Sequence, residues 1–400
     1  MKIFISGACG FVGSELALGL RGAGHDVAGC DNFSRPGSEL NLPRLEAAGV
    51  RIWRGDVRFE KDLAEAKGID WVIDAAANPS VLAGVDGKTS SRELLEHNLW
   101  GTVNLLEVCK RENAGLILLS TSRVYSIESL CALPVRERNG AFVFEEHGAH
   151  SGPAGVTEEF PTGAPISLYG ASKLASEQIA LEYGAAFGFP VWVNRCGVMA
   201  GAGQFGKPDQ GIFSFWIHSW AQKAPLKYIG FGGTGHQVRD CLHPEDLLDL
   251  VLKQVKDERT KRPKDEEGKR QVPDSGKVEK SESAKVETLG GKEITGERRL
   301  EIADWRSEHG RVQRVFNVSG GVVSAMSLRQ LSDWCEKEFG PHEVAVDLTP
   351  RAFDLPWVVL DSSRAENVWN WKPRKSVEQI CAEIAQHARQ NPEWLAVSMG

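Results

Sequence analysis

The chain begins "MKIFISGACGFVGSELALGLRGAGHDVAGCDNF", and three glycines in this stretch restrict the fold more than any other feature. Lys2–Ser6 reads as a short buried strand. Gly7, Gly10 and Gly13 follow at three-residue spacing. Ser14–Arg21 carries apolar residues at helical spacing, and Asp26–Cys30 is a second strand ending at Asp31. Together they make one β-α-β unit. The first two glycines allow a tight turn and close approach of a ligand to the backbone. The third lets helix and strand pack closely. Free N–H groups and the positive dipole end at the start of the helix suit an anion. The ligand that fits is the pyrophosphate of a dinucleotide, with Gly7, Gly10, Phe11, Val12 and Gly13 as its cradle. The spacing is G-x-x-G-x-x-G, which differs from the commoner G-x-G-x-x-G.

Asp31 stands 18 residues beyond Gly13, where a carboxylate accepts hydrogen bonds from an adenosine ribose. It would repel a 2′-phosphate, so the expected cofactor is NAD. Asn32, Ser34 and Arg35 follow it, and an arginine here could also accommodate that phosphate. Further strands end at Asp56-Val57, at the small-residue loop Ala75-Ala76-Ala77, and at Ser120-Thr121. An amphipathic helix, "HNLWGTVNLLEVCKREN", precedes the last of them. Strands alternating with helices predict an α/β, Rossmann-type, doubly wound parallel sheet, and ligands bind at the carboxyl ends of such strands. Gly7, Asp31, Asp56, Ala75 and Thr121 all fall at such ends.

The totals narrow the class. The 400 residues carry a net charge of −7, which gives no reason to expect nucleic-acid or membrane partners. The eight cysteines include no Cys-x-x-Cys pair and no zinc spacing, so reduced thiols and no metal are expected. No signal-like start and no apolar run of membrane-spanning length is evident, and a cytoplasmic location is expected.

"SLYGASKLASEQ" (167–178) places Tyr169 and Lys173 one helical turn apart, on one face. Alone, this pair equally suits a half-buried aromatic beside a solvated lysine. Joined to the glycine turn, Asp31, Asp56, the alanine loop and Ser120-Thr121, it resembles the extended short-chain dehydrogenase/reductase superfamily. The resemblance runs from residue 1 to about 254 and resumes from about 312. Within it, "NRCGVMAGAGQFGKPDQGIFSFWI" and "YIGFGGTGHQVRDCLHPEDL" are most similar to the CDP-paratose (CDP-tyvelose) 2-epimerases.

That resemblance implies roles. Tyr169 is the acid/base. Lys173 is its partner and also holds the nicotinamide ribose. Thr121 hydrogen-bonds the reacting hydroxyl. A free tyrosine, with a pKa of about 10, is a poor base at neutral pH. The lysine and the nicotinamide charge favour the phenolate. The implied reaction is inversion at carbon 2 of a CDP-dideoxyhexose through a transient keto-sugar. Ser122 and Arg123 stand where the related 4,6-dehydratases carry Asp-Glu, which disfavours dehydration. Ser122, Arg123, Gln204, Lys207, Gln210 and Arg239 are the expected substrate contacts. His243 and Asp246 are expected to order the helix after them. A 4-epimerase, dehydratase or dehydrogenase on the same scaffold is an alternative, as is a non-catalytic NAD-binding protein. A homo-oligomer is expected from the resemblance.

The expected organisation is an NAD-binding domain over 1–190, joined by a strand at 191–198. A smaller mixed α/β substrate domain covers 199–254 and 312–400. Residues 255–311 are dominated by mixed charge with few large apolar side chains. They are expected to be a flexible surface insertion without a packed core.

Overall fold

Strands buried on both faces need continuous apolar runs, and "KIFIS", "WVID", "GLILLST" and "VWVNRC" supply them. In the computed structural model, which describes residues 1–145, 151–152, 154–257 and 313–400, these runs form the centre of a seven-stranded sheet. Across the sheet the order is Val315–Val318, Val191–Cys196, Gly115–Thr121, Trp71–Asp74, Lys2–Ser6, Asp26–Asp31 and Arg51–Arg54. Every neighbouring pair is parallel. The winding reverses between Lys2–Ser6 and Trp71–Asp74, so a crevice opens at their carboxyl ends.

Several boundaries differ from expectation. The first helix is Phe11–Gly22 and starts three residues before Ser14. Strand Arg51–Arg54 stops short of Asp56. The helix expected from His97 opens with a π-helical turn, Glu96–Trp100, and is α-helical only over Gly101–Glu112. Val315–Val318, expected on the substrate side, pairs with Val191–Cys196 as the outermost strand of the main sheet.

The second half adds a mixed sheet. Val238–Leu242 pairs in parallel with Val198–Met199 and Trp357–Val358, and antiparallel with Ala325–Ser327. Leu226–Ile229 pairs with Val344–Asp347. An unforeseen hairpin, Val135–Arg138 with Ala141–Phe144, turns at Asn139-Gly140. Both residues have positive φ, 50° and 73°, the geometry Asn-Gly favours in tight hairpins. The described residues up to 257 and those from 315 onward form one compact unit. Almost all of the charged 255–311 stretch lies outside the described residues. No described helix is long and apolar enough to cross a membrane. None of the eight cysteines is in a disulfide.

Candidate active site

The carboxyl ends of the strands open into a cavity of about 620 Å³. Its floor is the glycine turn. Gly7 has φ +64°, and a Cβ on it would lie 3.0 Å from the Ala76 Cα. A Cβ on Gly13 would lie 2.1 Å from the Gly7 carbonyl oxygen, so only glycine lets this helix reach this strand. Helix Phe11–Gly22 has no side-chain cap at Gly10 and no acidic residue in its first turn. Its first N–H groups are left for a ligand, and their dipole favours an anion. The alanine loop is braced from below. The Ser6 hydroxyl donates to Asp74 at 2.9 Å and accepts from the Ala75 and Ala76 N–H groups at 3.1 Å each. This cradle fits the pyrophosphate of NAD.

Asp31 is buried, and its carboxylate accepts from the N–H groups of Cys9 at 2.9 Å and Phe33 at 2.8 Å. Burial raises its pKa, against the pull of these hydrogen bonds. Asp31 thus shapes the glycine turn besides facing the cavity. Asn32, Ser34, Val57 and Ala77 also line the cavity, whereas Asp56 does not. The Asp56 carboxylate takes hydrogen bonds from Arg58 and Asn32. They outweigh the opposing effect of burial and bring its pKa down to about 2. Arg35 lines the cavity too, with its guanidinium held by the opposite wall. It donates to the Gln210 side chain at 2.5 Å and to the Phe205 carbonyl.

At the far end, helix Ser167–Phe187 carries Tyr169 to the wall of the cavity that Thr121 also lines. Burial raises the Tyr169 pKa, while Thr121 and Arg123 lower it. Lys173, one turn on, is 2% exposed and does not line the cavity. Burial lowers its pKa, against the carboxylates of Asp74 and Glu177. Gly170 explains how the helix comes so close. A Cβ there would lie 2.2 Å from the Arg123 carbonyl oxygen.

The substrate half is lined by Ser122, Arg123, Gln204, Gln210 and Arg239. Lys207 is not among the lining residues. Its backbone pairs with that of Gln210 at a turn. Arg239 donates to Asp354 at 3.1 Å, and Arg351 from the same loop also lines the cavity. Arg123, Arg239 and Arg351 thus share a wall with Asp354, an arrangement that attracts an anion. His243 caps helix Pro244–Val255, accepting from the Glu245 N–H at 3.2 Å. Asp246 instead holds the N–H groups of Arg374 and Lys375.

Some supporting residues carry no short-range sequence signal. Glu177, two turns beyond Tyr169, pairs with Arg195 at 2.7 Å and accepts from the Ser120 hydroxyl. Asn98, on the π-helical turn, bonds the backbone of Asn78 and the hydroxyl of Ser172. Among the described residues, no group of His, Cys, Asp and Glu is arranged to hold a metal.

Comparison with known proteins gives this geometry a lineage. The NAD dependent epimerase/dehydratase family model matches residues 3–266. CDP-paratose 2-epimerase of Salmonella typhi is 32% identical over 262 residues, which is 62% of this chain and 73% of that protein. UDP-glucuronate 4-epimerase 1 of Arabidopsis thaliana is 30% identical over 258 residues, 62% of this chain and 53% of that protein. The fold is that of the UDP-glucuronic acid 4-epimerase from Bacillus cereus solved with UDP-glucuronic acid and NAD. That match has a TM-score of 0.67 and 22% identity, and covers 98% of this chain and 99% of that one. UDP-glucose 4-epimerase from Thermotoga maritima, with UDP-glucose, matches at a TM-score of 0.69 and 20% identity, with the same coverage. The chain belongs to the NAD dependent epimerase/dehydratase family, within the short-chain dehydrogenase/reductase superfamily, and NAD is its cofactor.

Proposed function

We propose that this chain is a nucleotide-sugar epimerase that inverts carbon 2 of a CDP-dideoxyhexose, the CDP-paratose/CDP-tyvelose interconversion, by transient oxidation to a keto-sugar. The observation that carries this reading is one continuous cavity. It runs from the glycine cradle, past Thr121 and Tyr169, to Arg239 and Arg351. The similarity to a CDP-paratose 2-epimerase supports the choice of substrate.

The cradle of Gly7, Gly10 and Gly13, with Asp31 and the alanine loop, holds NAD, which supplies the hydride acceptor for oxidation and the donor for reduction. Arg239 and Arg351 hold the substrate diphosphate by charge-assisted hydrogen bonds. Thr121 orients the reacting hydroxyl. Tyr169 removes its proton as the carbonyl forms and returns it when the other face is reduced. Lys173 keeps positive charge beneath the tyrosine. Ser122 and Arg123 offer no carboxylic acid next to Thr121, which argues against elimination of water.

A second reading is 4-epimerisation of a UDP-hexuronate, favoured by the 30% identity to a UDP-glucuronate 4-epimerase. One experiment separates the two. The enzyme is incubated with CDP-paratose, CDP-tyvelose, UDP-glucuronate and UDP-glucose in D₂O, and each carbon is followed by NMR. Inversion at carbon 2 of the CDP-sugar, without added NAD⁺ and without solvent deuterium on that carbon, supports the proposal. Inversion at carbon 4 of the uronate replaces it. Tyr169→Phe, which keeps the ring, should lower turnover by roughly 10²–10⁴ while NAD binding persists.

A further inference from the structure

The cavity has a cover, and the cover comes from the substrate half of the chain. Residues 204–210 run between two glycines of positive φ, Gly203 at 75° and Gly211 at 63°. The start of this segment is pinned. The Gln204 carbonyl accepts from the Ser214 hydroxyl at 2.9 Å and from the Trp394 indole N–H at 3.0 Å. The Phe205 ring stacks on that indole with centroids 5.1 Å apart. The end of the segment is a tight turn, in which Lys207 and Gln210 exchange backbone hydrogen bonds at 2.7 and 3.1 Å. Pro208, Asp209 and Gln210 line the cavity. The turn is bonded to both sides of the dinucleotide crevice. On one side Arg35, four residues past Asp31, donates to the Gln210 side chain at 2.5 Å. On the other, the hydroxyl of Ser80, three residues past the alanine loop, donates to the Asp209 carboxylate at 2.7 Å. Arg35 follows strand Asp26–Asp31, and Ser80 follows strand Trp71–Asp74. These two strands flank Lys2–Ser6, the strand that leads into the glycine cradle. A turn held at both flanks therefore crosses over the cradle between them.

We propose that the Lys207–Gln210 turn is a clasp over bound NAD, and that its opening limits how fast the cofactor enters and leaves. This rests on NAD as the cofactor and not on the identity of the sugar. One partner in each clasp bond is an ion, the Arg35 guanidinium or the Asp209 carboxylate, which makes the bonds strong for their exposure. Both bonds join protein to protein. Breaking them eases passage in both directions and leaves the cofactor's own contacts in the cradle as they were. Gly211, which has no Cβ and already sits at positive φ, is where the backbone can absorb the swing while the Gln204–Phe205 root stays fixed. In the proposed epimerisation NAD is reduced and reoxidised within one turnover, so slow exchange of the cofactor does not slow the reaction.

The test reads cofactor exchange and needs no substrate. Enzyme loaded with NADH is mixed with excess NAD⁺, and release is followed by NADH fluorescence in stopped flow. Association is followed by mixing stripped enzyme with NADH. Asp209→Ala removes the bond to Ser80, and Gln210→Ala removes the bond to Arg35. Ser80→Ala breaks the first bond from the opposite wall and takes the place of Asp209→Ala if that variant does not fold. Each single variant should speed both release and association by about tenfold, the effect of one hydrogen bond to a charged group. Asp209→Ala with Gln210→Ala should speed them by more than either alone. Because both rates move together, the dissociation constant should stay close to that of wild type. Release and association unchanged in the double variant overturn the proposal. A weaker dissociation constant with an unchanged association rate also overturns it, because these side chains would then be direct cofactor contacts and not a clasp.

Discussion

Gly170 shows how much one missing methyl group decides. Its position is fixed by the Arg123 carbonyl, 2.2 Å from where a Cβ would stand. The obstacle is backbone and cannot swing aside. Gly170→Ala must push the helix off the Gly115–Thr121 strand end, at a cost of about 1–3 kcal/mol for overpacking. Thermal unfolding should show that loss, and turnover should fall further than stability alone explains, because Tyr169 moves with the helix. A wild-type melting temperature would remove this account. Asp31 makes a second residue-scale prediction. Its carboxylate would repel a 2′-phosphate, and it braces the turn by accepting from the N–H groups of Cys9 and Phe33. Stripped enzyme should bind NAD at least tenfold more tightly than NADP in titration. Asp31→Ala should weaken NAD itself, since each lost hydrogen bond to a charged group is worth about 1.5–3 kcal/mol. Equal affinity of wild type for both cofactors would sink the ribose reading. Arg35, the residue that left NADP open in the sequence, is held by Gln210 and Phe205.

At the scale of elements, the legible features were those with a strong local cause. Glycine spacing, apolar runs and the Tyr-x-x-x-Lys turn all act within a dozen residues. Features that depend on distant partners were not legible. Glu177 looks like any helical surface charge until Ser120 and Arg195 arrive from two neighbouring strands. The π-helical turn Glu96–Trp100 is set by where Asn98 meets Asn78 and Ser172. The Asn139-Gly140 hairpin does carry a local signal, the Asn-Gly pair itself, between the charged strand Val135–Arg138 and the apolar strand Ala141–Phe144. Glu177 and Arg195 are 0% and 6% exposed at their side chains, so removing one partner leaves a buried charge. Glu177→Leu should destabilise by about 3–5 kcal/mol, and Glu177→Leu with Arg195→Met should recover much of that. Urea midpoints of the two variants check this. A double variant no better than the single one would mean that the bonds Glu177 accepts from the Ser120 hydroxyl and Arg195 donates to the Tyr125 hydroxyl matter more than the charge pair.

For the whole molecule, the parallel, doubly wound sheet and the place of the cleft at its carboxyl ends followed from the β-α-β pattern. The edge strand Val315–Val318 did not, because a charged stretch separates it in sequence from the sheet it completes. Its placement bears on that stretch. Trp369 ties the two flanks together. Its indole N–H donates to Asp257 at 3.1 Å, and its ring packs on Phe316 with centroids 4.3 Å apart. The residues on either side of the charged segment therefore lie against one side chain, and a short connection can join them. Loop-closure entropy changes only slowly with length, and a stretch with few large apolar residues has little surface to bury. Replacing residues 258–305 with a short glycine linker should leave soluble yield, melting temperature and turnover close to those of the full chain. Because Trp369 and Phe316 remain, the outer strand should stay paired, and amide exchange on Val315–Val318 should remain slow. Fast exchange there would mean that the segment itself holds the edge of the sheet. Intact exchange with most of the turnover lost would instead make the segment part of the substrate site.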